Sequence, residues 1–531
     1  MASSTTSLIN NTFAGIRRKN SSFSSECISC SDCQNIELFY TKLNSGVGIR
    51  TAKGNVAVSK AYNDVSGLME SIVPVGENII GIFESYMDND TYFFVYTEND
   101  IQGKLYTFDI NSITLTEQIS GLEVTGMACG ESFTQGWLDM FIFSNGVNVK
   151  YLYCSTETHA GLTVESDENI KLIDVDGRPV KGLGLKVFDS RLWIFDGKVL
   201  WYSQQADCRV FNFVDPDKIT SAGYKEYVKP ITAICPYLDS LAVFHKDSSS
   251  LLLVDATTMF KQEDESPGGC ASYDSLVFHG TDLYFYDDTK KGVFSFKQII
   301  NGDKTLGENI ALDVQDELMD IQAVDTNKIR ALSVVTSDRN EVWFLVPISH
   351  EEGYSYVLIF DYLRGEWIKR KCQTINCLGL VNSRLYSAGK DIYEEYVSNY
   401  FDGEFIDAYY TCSIFNLDAD NTLKITKFPP RATCDGSYRN HFWIKYVKNY
   451  NPLKSPKIKE IVGKSYGGIL TFDTEDCWDT DLIYQPNNYN AILKLPSATF
   501  KALEITLYTT NASEDFCIKE LEYSRIKVKQ V

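Results

Sequence analysis

The stretch SRLWIFDGKVLWYS, Ser190 to Ser203, reads as two short strands joined by a tight turn. Asp196-Gly197 divides two apolar runs, and glycine supplies the positive φ that a two-residue hairpin needs. Aromatic and β-branched side chains on both sides suit a pleated surface. The form recurs along the chain. NIIGIFESYMDNDTYFFVYT begins at Asn78, LDMFIFSNGVNVKYLY at Leu138, DSLAVFHKDSSSLLLV at Asp239 and DSLVFHGTDLYFYDDTKKGVFSF at Asp274. EVWFLVPI with YSYVLIFDYLRGEWIKR follows from Glu341, and SRLYSAGKDIYEEY from Ser383. Asn145-Gly146 and His279-Gly280 are further turn signals. The seven units recur mostly about every 35 to 60 residues, an interval that brackets the four-stranded blade of a β-propeller. No WD dipeptide or kelch glycine pair marks them, so five, six or seven blades are compatible. One large sandwich of hairpins is the competing architecture.

Beyond about residue 400 the strands lengthen. In the closing segment Ile518, Leu521, Tyr523, Ile526 and Val528 interleave with Lys519, Glu522, Arg525, Lys527 and Lys529, with a slip of phase near Glu520. That pattern predicts a half-buried antiparallel strand with a bulge at the slip. The expected organisation is therefore all-β: an extended N-terminal docking segment over 1–60, a propeller over 61–402 and a C-terminal β-sandwich over 403–531.

Composition agrees with an all-β reading. Of 531 residues, 32 are Tyr and 30 Phe, and the length suits two or three domains. Fifty basic residues against 71 acidic ones give a formal charge of -21, which repels duplex DNA and excludes a groove-reading binder. No run of about 18 apolar residues is present, so no membrane-spanning helix is expected. The opening MASSTTSLINNTFAGIRRKNSS places its basic residues after the weakly apolar part, unlike a secretory signal. Fourteen cysteines then point to free thiols in a reducing compartment, and the N-x-S/T matches at Asn20, Asn89 and Asn511 to chance.

The search for chemistry yields little. CISCSDC places Cys27, Cys30 and Cys33 at C-x2-C-x2-C spacing, weak candidates for a metal because a fourth ligand is missing from the run. The five histidines are scattered, and His245 and His279 follow apolar strands as expected turn residues. Gly463-Lys464-Ser465 lacks the earlier glycine of a P-loop, with Ile458 in its place. Asp174 and Asp176 before Gly177, and Asp418 with Asp420 and Asn421, lack the bidentate glutamate of a calcium loop and are expected as solvated turns. Carboxylate pairs such as Asp287-Asp288 carry little information in so acidic a chain, and no G-x-S-x-G elbow occurs. No enzyme and no cofactor is expected.

Two passages carry a resemblance. AGIRRKNSSFSSECISCSDCQNIELFYTKLNSGVGIRTAKGN, from Ala14, resembles the opening of tail nozzle proteins of short-tailed bacteriophages, also called tail tubular protein B, and of related packaged DNA stabilisation proteins. Gly15, Asn35, Gly46, Arg50 and Gly54 fall at matching places, although Thr51 and Ala52 stand where that family usually has proline after the arginine. SRLWIFDGKVLWYSQQADCRVFNF is similar to its propeller hairpin through Leu192-Trp193, Gly197, Tyr202-Ser203, Asp207 and Phe211. FDYLRGEWIKR and ALEITLYTTNASEDFCIKELEY resemble its late blade and terminal sandwich. The resemblance implies a virion tail protein, folded and assembled in the host cytoplasm. It further implies a homo-oligomeric ring, usually of six copies, below the portal and its adaptor, retaining packaged double-stranded DNA and conducting it without sequence-specific binding. It makes the three cysteines loop positions without a metal. Arg17, Arg18, Lys19, Asn35 and Arg50 become candidate docking residues. The alternative is a carbohydrate-binding or glycan-cleaving propeller with a lectin-like sandwich, its Trp- and Tyr-rich turns serving as stacking platforms.

Overall fold

The computed structural model describes residues 5–10, 13–16, 29–41, 46–64, 66–136, 138–154, 162–214, 220–255, 259–262, 265–301, 307–319, 328–346, 353–416, 421–425, 431–435, 438–448, 455–462, 490–494, 499–500 and 502–530. The protein is mostly β-strand, with two short α-helices among these residues. It divides into two compact units: 56–358 with 372–395, and 1–55 with 359–371 and 396–531.

In the first of these, all seven hairpins of the sequence are present: the first five each lie in a separate antiparallel sheet, while the sixth and seventh lie in larger mixed sheets of nine and six strands. Each sheet opens on a strand that precedes or begins its hairpin. These are β1 (Asn78–Met87), β2 (Cys129–Gln135), β3 (Gly184–Phe188), β4 (Ile231–Tyr237), β5 (Leu276–His279), β6 (Arg330–Val335) and β7 (Ile375–Val381). Each packs beside the next in sequence order, and β7 packs against β1. The predicted turns are real: Gly146, Gly197 and Gly280 all have positive φ.

The continuous apolar runs follow from burial on both faces. Trp193 pairs with Tyr202 and Ile194 with Trp201 across the Asp196-Gly197 hairpin. Ile194 and Trp201 join Met140, Ile142 and Tyr151 of the preceding sheet in one core. Trp193, Phe195 and Tyr202 join Ile234, Leu241 and Val243 of the following sheet in another. Alternate residues thus feed two different cores, and no polar face remains to give a period of two. The same stacking sets Phe94 on Phe141 with ring centres 4.1 Å apart, and places Phe93 and Val95 with Tyr386 and Ala388. Gly379 on β7 sits where a Cβ would come within 2.4 Å of Ile82 Cγ2 on β1. The start of the unit fastens to its end: Val58 N donates to Ile392 O at 2.8 Å, and Ser59 Oγ donates to Asp391 Oδ1 at 3.0 Å.

The other unit joins the two chain ends. Six strands of the nine-stranded sheet run here in the order Glu366–Gln373, Ser29–Gln34, Tyr409–Asn416, Ala502–Tyr508, His441–Lys448, Lys457–Val462. A second is built around the long strand Cys517–Gln530, which pairs with Thr5–Asn10, Val47–Thr51, Asn421–Ile425 and Arg431–Asp435. The predicted phase slip is a bulge: Thr433 faces Glu520 while Cys434 faces Ile518, leaving Lys519 extra. Ile518 and Leu521 are both fully buried.

The segment expected over 1–60 as an extended docking arm is corrected here. Its strands Thr5–Asn10, Ser29–Gln34, Ile36–Tyr40 and Val47–Thr51 are hydrogen-bonded into the sheets of this unit, Gly54–Ala57 joins the sheet of the seventh hairpin, and the unit boundaries fall at 55/56, 358/359, 371/372 and 395/396. The physical reason is edge satisfaction. Ser29–Gln34 runs beside Tyr409–Asn416 and completes its ladder, which an extended arm would leave open.

Candidate functional site

One cavity of about 350 Å³ is lined by all seven opening strands, through Ile82, Cys129, Lys186, Ile234, Val277, Arg330 and Leu378 among others. Its polar groups form a circuit. Lys186 on β3 is paired with Glu131 on β2, and its ammonium lies 5.4 Å from the ring centre of Tyr273. Tyr273, in the turn before β5, donates its hydroxyl to Leu185 O at 2.6 Å. Its neighbour Asp274 meets Arg330 of β6 at 3.0 Å. Arg330 also donates to Gly126 O, just ahead of β2, at 3.2 Å. The path from β2 through β3, the β5 turn and β6 returns to the approach to β2.

Burial governs the protonation states. It opposes the charge of Lys186, but the Glu131 carboxylate outweighs it and raises the lysine well above its usual value. For Asp274 burial dominates, and Arg330 and Lys186 only partly offset the rise. Burial pushes the Cys235 thiol up to about 11 and that of Cys377 to about 12, so both stay protonated and weakly nucleophilic at neutral pH. His279 Nδ1 is hydrogen-bonded to Ser333 Oγ at 2.9 Å, and burial lowers its basicity. These groups tie strands to one another. A duplex, about 20 Å wide, is far larger than this cavity, so no DNA passes through it.

The residues singled out in the sequence fall elsewhere. Cys30 and Cys33 lie on the strand Ser29–Gln34, not in a loop. A register shift between Cys30 and Asp32 turns both onto the buried face, where Cys30 sits opposite Cys412 and Cys33 opposite Tyr410. Burial, then the neighbouring Cys33 and Cys412, raise the Cys30 thiol well above its usual value. Among the described residues no group of three or more His, Cys, Asp or Glu is arranged to hold a metal ion. Cys27, Arg17, Arg18 and Lys19 lie outside the described residues, as do Asp418 and Asp420.

Asn35 is 2% exposed and left-handed, with φ 53°. It donates from Nδ2 to Asp407 O at 2.9 Å and accepts at Oδ1 from Lys371 N at 2.9 Å. Its side chain fastens three chain segments and is not displayed to a partner. Arg50 is clamped by Glu37, through Nη2 at 2.7 Å and Nε at 2.8 Å. His245 and His279, expected in solvated turns, are each 1% exposed, and His245 Nδ1 donates to Pro230 O at 2.9 Å. Asp174, also expected in a solvated turn, is 2% exposed and accepts from Asp176 N, Arg178 N, Arg178 Nε and Trp201 Nε1. Four protein donors occupy the carboxylate that a calcium ion would need.

The charged residues of the cavity were missed because they precede the hairpins that dominated the reading. The signal was a lone charge at the start of or within a short strand: Lys186 in GLKVF, Arg330 ahead of ALSVV, Asp274 ahead of LVFH. No family model matches the sequence, and no curated protein matches it.

Proposed function

We propose that the chain is a structural, non-enzymatic virion protein that forms the ring-shaped tail nozzle of a short-tailed bacteriophage. In this reading the seven sheets are blades of a seven-bladed propeller, and the two-sheet unit is a β-sandwich. The observations that carry it are the pairing of Thr5–Asn10 with Cys517–Gln530 in one β unit and, in the other, seven successive hairpins whose opening strands close in sequence order. That division matches the propeller and sandwich elements implied by the resemblance at Ala14–Asn55 and Ser190–Phe213. The strands β1 to β7 meet in sequence order and β7 returns to β1, as propeller blades do.

In this proposal the conduit is made by several copies, because the cavity of one chain is too small for a duplex. A closed ring, of six copies by the resemblance, supplies the opening through heterologous β-rich interfaces. The charge of -21 suits a wall that DNA must slide past without adhering. The portal adaptor and other tail proteins are the partners, and the virion tail, assembled in the host cytoplasm, is the location. Negative-stain electron microscopy across a concentration series, with light scattering to count subunits, tests the reading. Rings with an opening of about 20 Å are expected. Monomers at every concentration, with or without an added adaptor, would sink it.

A further inference from the structure

In the stretch of the nine-stranded sheet formed by 409–412, 504–508 and 441–447, one face is buried and the other half-buried. Tyr410, Cys412, Ile505, Leu507, Phe442 and Ile444 fill the buried face. Their neighbours in sequence turn the other way, and there the register brings aromatics into line. Tyr409 pairs with Tyr508, and Tyr508 with Trp443, so three large rings form one row across three adjacent strands. Gln34 continues the row at one end and Glu460 at the other. At an interstrand spacing of about 4.8 Å the three rings span about 10 Å.

We propose that this row is a binding platform for an uncharged glycan, with Trp443, Tyr508 and Tyr409 as the stacking surface. The C–H bonds on a pyranose face carry partial positive charge and are attracted to the negative face of an aromatic ring. The equatorial hydroxyls then need donors and acceptors at the margins, and the sheet supplies them. Thr411 and Thr506, with hydroxyls 3.1 Å apart, form the adjacent row with Lys445. Asp32, paired with Lys369 Nζ at 3.2 Å, and Glu460, beside His441 Nε2 at 2.7 Å, stand at the edges.

Two rings are held at their far ends. The Trp443 indole N–H donates to Glu514 Oε1 at 2.9 Å, and the Tyr409 hydroxyl donates to Asp32 Oδ2 at 2.8 Å. Such tethers remove rotamer freedom before a ligand arrives, which lowers the entropic cost of stacking. The mixture of rings, carboxylates and ammonium within one strand spacing also separates this face from the core of a protein interface, where charge is depleted. The chain's charge of -21 favours a neutral sugar over an acidic one.

The test is titration of the full chain with cellohexaose, laminarihexaose, mannohexaose and chitohexaose, followed by tryptophan fluorescence and calorimetry, with colominic acid as the acidic comparison. At least one neutral oligosaccharide is expected to bind, with Trp443→Ala and Tyr508→Ala each weakening it at least tenfold and Trp443→Phe keeping part of it. Thr506→Ala, a milder change outside the aromatic row, should weaken it two- to fivefold and guards against a misfolded tryptophan variant. Failure of every neutral oligosaccharide, or binding indifferent to Trp443 and Tyr508, overturns the proposal. So does a change of oligomeric state in Trp443→Ala without sugar binding, which would make the row a contact between copies. Ring formation is read separately, so failure here leaves the nozzle reading standing.

Discussion

Replacing Arg330 by Met removes the cation from Asp274 while keeping most of the side-chain volume. Both partners are poorly exposed, the arginine at 12% and the aspartate at 17%. Breaking a buried pair by deleting one member costs roughly 3–5 kcal/mol, because the other charge is left uncompensated. Partial exposure and proton uptake by Asp274 cap the loss, so about 3 kcal/mol is expected at pH 7.5. The sign of the pH dependence is fixed by the aspartate. Its folded-state pKa lies above the ordinary value because of burial, so the stability it contributes is full below the unfolded pKa and lost as pH rises through the folded one. Without Arg330 the folded value rises further, and the gap between wild type and variant should narrow at pH 5. Melting monitored by near-ultraviolet circular dichroism, supported by urea titration, reads this as a loss of roughly 3 to 5 °C at pH 7.5. Adding Asp274→Leu should restore much of the loss, since an apolar pair replaces an isolated charge. A loss under about 1 kcal/mol, or one equal at pH 5 and 7.5, would refute the view that this pair braces the cavity.

Gly379→Val should cost about 1–3 kcal/mol by overpacking β7 against Ile82 of β1, read by urea unfolding. Asp174→Asn should destabilise by roughly 2–3 kcal/mol at neutral pH. Burial alone would raise the Asp174 carboxyl, but the Arg178 amide, the Trp201 indole and the Arg178 side chain together hold it below the usual range. Its stabilisation is therefore present above the unfolded pKa and fades as pH falls, so wild type and variant should converge below about pH 3. A thiol titration of the native protein with an aromatic disulfide reagent should leave the twelve described cysteines slow to react, since all are buried. Rapid reaction of more than Cys27 and Cys477, which lie outside the described residues, would contradict that burial.

The hairpins were legible because each carries two redundant signals, a glycine turn and an apolar run, as in Asp196-Gly197 between LWIF and VLWY. The opening strands were less so. CGESFTQ, Cys129 to Gln135, is mostly polar and short, and only stacking against its neighbours makes it a strand. The non-local pairings left almost no trace. Asn35 reads as a loop residue, yet its amide is satisfied by Asp407 and Lys371, more than 330 residues away. Cysteine spacing misled for a similar reason: the bulge that puts Cys30 and Cys33 on one face depends on a partner strand at 409–416. For the docking residues, Arg50 looked available only because the glutamate that clamps it, Glu37, lies on the adjacent strand of a hairpin.

The pairing of Ser29–Gln34 with Tyr409–Asn416, and of Thr5–Asn10 with Cys517–Gln530, has a consequence for the order of biosynthesis. A chain emerging from the ribosome offers its first strands long before their partners exist. Successive sheets between 78 and 301 can stack as they appear, whereas Thr5–Asn10 must wait until Cys517–Gln530 is made, about 500 residues later. During that interval Ile36, Leu38 and Ile49, buried in the finished protein, have no final packing partners and are candidates for chaperone capture. Maturation of this unit is thus timed by the appearance of Cys517–Gln530, the strand that completes its chain-spanning pairings with Thr5–Asn10 and Val47–Thr51.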